Sequence, residues 1–100
     1  LNVNVYAPSG ASESSLLPVF VFIHGGAFRR GWNDGPHHLY EASRLAADHG
    51  IVVFVPNYRV ETLGFLALPS AGIGGNLGLL DQRFALTWVR DNAKAFGGDP

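Results

Sequence analysis

The sequence predicts an α/β fold, and three features point to it. Val19–Ile23 and Ile51–Val55 are each an unbroken apolar run, the habit of strands buried on both faces in a parallel sheet. Between them Leu39, Ala42, Leu45 and Ala46 recur at helical spacing, with Gly50 placed to close the helix. Strand, helix and strand at this separation form a βαβ unit, so the two strands are expected to be parallel neighbours in a mostly parallel sheet.

The remaining elements follow in chain order. Leu1 to Tyr6 alternates apolar and polar residues, the pattern of a half-exposed strand. Pro8 to Pro18 is Ser-rich and reads as a solvated loop. Gly25 to Pro36 is a second, Gly-rich loop, and Pro36 suits the first turn of the helix that ends at Gly50. From Pro56 to Gly75 the chain reads as irregular, with one short apolar piece at Phe65 to Leu68. A second helix starts between Asn76 and Leu79, with Leu80, Phe84, Ala85, Trp88, Val89 and Phe96 as its apolar stripe. Gly97, Gly98 and Pro100 stop it, and Trp88 and Phe84 are expected in the core.

Composition excludes several classes of function. The chain is 47% hydrophobic and 15% charged with a net charge of −1, which suits a buried core and not a disordered segment. Lys94 is the only lysine, and no basic patch marks a nucleic-acid binder. There is no cysteine, so neither a disulfide framework nor a thiolate metal site is expected. No apolar run approaches the roughly 18 residues of a membrane span. Two strands apolar on both faces need helices on both sides, and two helices are few for that task. The isolated chain is therefore expected to be poorly soluble or molten, a part of one larger domain.

The chemistry concentrates where the first buried strand ends. His24 leads into Gly25-Gly26-Ala27, and glycine lets the backbone turn sharply and present bare N–H groups. A rigid strand tip with bare N–H groups is the raw material of an oxyanion hole. Taken alone, Gly25-Gly26 is equally well read as a tight turn. His24 reads as a positioning or packing residue and not as a base. His37 and His38 are adjacent, point apart on a helix and make a poor metal pair; no metal or other cofactor is assigned. His49 sits near a helix C-terminus, where a cation is mildly favoured. Gly72, Gly74, Gly75 and Gly78 miss the G-x-G-x-x-G spacing, because Leu77 stands where the third glycine belongs, so loop packing is preferred to nucleotide binding.

His24-Gly25-Gly26-Ala27-Phe28 resembles the HGGGF-like motif of the type-B carboxylesterase and cholinesterase family, which has the α/β-hydrolase fold. Leu1-Asn2-Val3 with Val5-Tyr6-Ala7-Pro8 resembles that family's early strand, with an Asn-Val pair inserted. Asn57-Tyr58-Arg59, Gly64-Phe65-Leu66, Gly75-Asn76-Leu77-Gly78-Leu79-Leu80-Asp81-Gln82 and Ala95-Phe96-Gly97-Gly98-Asp99-Pro100 match further segments in the same order. The resemblance implies a carboxylic ester hydrolase acting on small-molecule esters through a serine acyl-enzyme. It also implies that residues 1–100 are the N-terminal part of one α/β-hydrolase domain, with the nucleophile turn, acid and histidine later in the chain. None of the serines present lies in a G-x-S-x-G context. By the same resemblance, Gly26 and Ala27 supply backbone N–H donors to the oxyanion, and Gly25 shapes the turn. Ala27 replaces the commoner glycine; it keeps its N–H, and the loop must either hold it at negative φ or accept strain. That variant is associated with pockets that accept bulky alcohols, and the family leans toward an extracellular setting. Arg59 and Asp81 fall in matching segments and are expected to form a partly buried structural ion pair. Phe28 and Trp32 are candidate pocket walls, and Arg29 and Arg30 are solvated charges by default. The competing reading is a non-catalytic, cholinesterase-like adhesion protein, which the residue at the nucleophile position would decide.

Overall fold

The computed structural model describes all 100 residues, Leu1–Pro100. Strands β1 (Val3–Tyr6), β2 (Val19–Val21) and β3 (Val52–Pro56) form one sheet in the order β1-β3-β2. β3 lies in the centre and is buried along its whole length, whereas β2, equally apolar, is an edge strand that is only half-buried, with Phe20 47% exposed, so the expected burial of Val19–Ile23 on both faces is not met. β2 and β3 pair in parallel, Phe20 opposite Val53, and helix α1 (Ser43–His49) lies between them in the chain. The βαβ unit is therefore present. The sheet as a whole is mixed, because β1 pairs antiparallel with β3, Val5 opposite Phe54. The expectation of a mostly parallel sheet is met only at β2–β3; β1 is the antiparallel edge strand that many α/β sheets carry.

The alternation of β3 divides the core in two. Val53 and Val55 pack with Ala42 and Ala46 on the α1 face. Val52 and Phe54 pack on the other face with Val89 and Ala93, from helix α3 (Leu77–Asn92) and the 3-10 turn that follows it. One helix thus covers each side of the sheet, and Phe54 meets Trp88 and Phe96 edge-on.

Three local expectations are corrected. Pro36 does not start the long helix: Pro36–His38 forms a separate 3-10 turn in which His37 and His38 have φ of 54° and 57°, and α1 begins only at Ser43. Left-handed residues cannot continue a right-handed helix. Gly50 does close α1, at φ 62°. Second, the stretch read as irregular contains helix α2 (Glu61–Phe65) and a hairpin of β4 (Ala67–Leu68) with β5 (Ile73–Gly74). Third, Phe84 is 62% exposed and Leu80 52% exposed, so part of the α3 stripe lies outside the core. Only the Trp88–Val89 side of that helix meets the sheet.

The molecule is a thin slab of 51 × 30 × 14 Å with 18 of 100 residues buried. Its radius of gyration, 15.3 Å, exceeds the roughly 13 Å of a compact chain of this length. No helix is long and apolar enough to cross a membrane.

Candidate functional site: the turn after strand β2

The sheet hydrogen bonding ends at Phe22, whose N–H donates to the Phe54 carbonyl at 2.9 Å. His24 follows, 2% exposed, with its ring stacked on Tyr58 at 4.3 Å between centroids. The Tyr58 hydroxyl donates to the His24 carbonyl at 2.8 Å. Burial raises the Tyr58 pKa above the usual tyrosine value, so the hydroxyl keeps its proton and remains a donor. Two hydrophobic strand ends are thereby fastened to each other just before the chain enters the glycines.

From Gly25 to Arg30 every residue is exposed. The Gly26 carbonyl accepts from the N–H groups of Arg29 and Arg30, at 3.0 and 3.3 Å, closing a tight turn. Gly26 has φ 124°, and a Cβ there would collide with the Arg30 carbonyl, so glycine is required for both reasons. Gly25 has no positive φ, and no atom of these 100 residues lies within 4 Å of where its Cβ would stand, so within this chain the tight geometry of the turn falls on Gly26. Ala27 has φ 55° and Phe28 φ 60°, so of the two conformations open to Ala27 the loop adopts the strained one. The Phe28 carbonyl accepts from the Glu61 N–H at 2.7 Å, and its ring packs against Phe65 and Tyr58, which holds the strain in place.

The N–H groups of Gly26 and Ala27 donate to no acceptor in the chain. Both residues line an open hollow with Arg29, Arg30 and Glu61. Arg29 Nε stands 3.6 Å from Glu61 Oε1 on the rim. Phe28 and Trp32 do not line this hollow; Trp32 borders a separate depression with Asn57 and Arg59.

Arg59 and Asp81 meet as a two-pronged ion pair, Nε to Oδ2 and Nη2 to Oδ1, both 2.7 Å. The Arg59 N–H also donates to Oδ2 at 3.0 Å. Asp81 is buried, and the hydrogen bonds from Arg59 hold its carboxyl below the usual carboxylate range against the opposing effect of burial. The Arg59 carbonyl is wedged between Gly64 and Gly78, where a Cβ on either would strike it. The pair fixes α3 to the segment whose Tyr58 and Glu61 hold the turn.

Two anchors escaped the sequence reading. A Cβ on Gly31 (φ 126°) would strike the His24 ring and the Gly25 carbonyl, so the far end of the loop needs glycine too. Asn33, 6% exposed, accepts the loop into the sheet: its N–H donates to Asn57 Oδ1 at 2.8 Å, and its Nδ2 donates to Asn2 Oδ1 and the Val55 carbonyl. Asn57 beside Tyr58 was the available signal. No three His, Asp or Glu side chains gather into a set that could hold a metal.

An exposed glycine turn at the tip of β2, on a mixed sheet with a helix on each face, is a layout that many α/β proteins share, and sequence relatives decide among them. The chain belongs to the carboxylesterase family, whose model matches residues 1–100. It is 52% identical over 102 residues to the para-nitrobenzyl esterase of Bacillus subtilis, matching all of this chain and 20% of that protein. To the bile salt-activated lipase of Bos taurus it is 42% identical over 105 residues, matching all of this chain and 18% of the lipase. The solved structure of a thermophilic PNB esterase superposes with a TM-score of 0.88 at 51% identity, covering all of this chain and 20% of that one. The fold is therefore part of an α/β-hydrolase, and the chain spans about a fifth of the length of these relatives.

Proposed function

We propose that these residues supply the oxyanion-stabilising turn of a carboxylic ester hydrolase that works through a serine acyl-enzyme. The observation that carries this reading is the pair of free N–H groups, Gly26 and Ala27, on an exposed turn that borders a hollow. When a serine attacks an ester carbonyl, negative charge grows on the carbonyl oxygen, and N–H groups already in place stabilise it without reorganising. The N–H of the residue after the nucleophile completes the set. Serine, acid and histidine come from the rest of the hydrolase domain, and the substrate is a small-molecule carboxylic ester. The isolated 100 residues are inactive.

The same domain covers the slab. Leu80, Phe84 and Leu86 on α3 and Phe20 on β2 are each between 47% and 62% exposed, more apolar surface than an independent unit of this size leaves in water. A reversible, cooperative melt of residues 1–100 alone contradicts that dependence.

Backbone substitution in the whole protein tests the oxyanion assignment. Proline at 26 would remove an N–H, but φ 124° is closed to its ring. Replacing Ala27 by lactic acid, or Gly26 by glycolic acid, exchanges the amide for an ester, which removes the N–H, keeps the side chain and leaves the preceding carbonyl in place as a weaker acceptor. Each is expected to lower kcat by about a hundred- to a thousandfold. An unchanged kcat overturns the assignment. Fluorophosphonate labelling reports the serine: an unlabelled protein would be the non-catalytic, adhesion-type relative.

A further inference from the structure

We infer that His24 is a positioning residue for the Gly26 N–H, acting through the Gly25 carbonyl; this rests on the oxyanion reading above. The two donor peptides are held differently. The Gly26–Ala27 peptide has its carbonyl pinned by two backbone N–H groups, those of Arg29 and Arg30. The Gly25–Gly26 peptide has its carbonyl 3.0 Å from His24 Nδ1 and accepts from no backbone N–H. The one side chain that holds this peptide is therefore the imidazole, with the Gly31 backbone packed beside the same oxygen. A trans peptide is planar, with C=O and N–H pointing in opposite directions. Holding the Gly25 oxygen at the imidazole therefore fixes the direction of the Gly26 N–H.

A carbonyl only accepts, so Nδ1 carries the proton in this bond. Nε2 is buried and has no partner. A buried nitrogen without a partner costs stability, and a phenyl ring would stack on Tyr58 without that cost. Packing alone does not account for an imidazole here, whereas a donor at Nδ1 does. Gly31 belongs to the same device: with no Cβ it leaves room for the His24 ring to meet the Gly25 carbonyl.

Side-chain variants of the whole protein separate this role from packing. His24→Phe keeps the stack and loses the donor; its Tm is expected to hold while kcat falls by about ten- to a hundredfold at nearly constant KM, as for a slightly misaimed catalytic group. His24→Asn carries a donor where Nδ1 stood but loses the stack; its Tm is expected to fall while most of the lost kcat returns. His24→Gln reaches the Nε2 position instead and is expected to stay slow. Activity that follows Tm across the three, or Gln as fast as Asn, overturns the proposal. The glycolic acid substitution at 26 distinguishes the failures: a kcat insensitive to it removes the oxyanion reading and this inference together. A kcat that falls with it but is indifferent to His24→Phe removes the inference alone.

Discussion

Glycines in two parts of this chain serve opposite structural ends. In Gly25–Gly31 the glycines build an exposed turn in which only the Arg29 and Arg30 N–H groups find an acceptor, and those of Gly26 and Ala27 are among the ones left open. In the segments carrying Gly64 and Gly78 they bring two helices close to one carbonyl, that of Arg59, beside an ion pair with every prong engaged. Glycine serves access in the first and close approach in the second. The difference separates a place built to receive a guest from a place built to hold the receiver still.

That division predicts which property each substitution moves. Gly26→Ala has the largest effect: its methyl would strike the Arg30 carbonyl, the turn must open, and kcat should drop by about a hundredfold in a steady-state assay. Asp81→Asn leaves Arg59 with a neutral partner and should cost more Tm than activity per folded molecule. A stable but inactive Asp81→Asn enzyme would erase the distinction between the two segments. Its pH dependence has a definite sign. The carboxyl is held below its unfolded value of about 3.9, so its contribution is full above that pH and is lost as pH falls through the lower folded value. Melting curves of the parent and Asp81→Asn should therefore be well separated at neutral pH and converge in acid. Gly78→Ala overpacks the Arg59 carbonyl and the Phe65 ring and should destabilise by about 1–3 kcal/mol, read from denaturant midpoints. The smallest effect is Ala27→Gly, which relieves a left-handed alanine and should raise stability by up to about 1 kcal/mol once the greater freedom of unfolded glycine is counted.

The legibility of these features in the sequence follows from their physics. β3 was readable because a strand covered on both faces must be apolar throughout, and Gly50 because a left-handed cap favours glycine. α2, β4 and β5 were not readable, since pieces of five and two residues are too short to display a period. Phe84 shows a different limit: an apolar stripe says that a face is to be covered, and not that its cover lies within the same 100 residues. At the site, Gly26 and Ala27 stood out by motif. The conformation of Ala27 stayed open, because a methyl group disfavours positive φ without forbidding it. Gly31 and Asn33 act through contacts with His24 and Asn57 that no local pattern announces.

The central claim is that the Gly26 and Ala27 amides meet charge that exists only in the transition state. Its most direct test is the affinity of the whole protein for a trifluoromethyl ketone, which forms a stable oxyanionic adduct, measured in the parent and in the Ala27 lactic acid form. The account predicts that adduct affinity falls in step with kcat/KM while KM stays nearly constant. Equal adduct affinity in the two forms would contradict it.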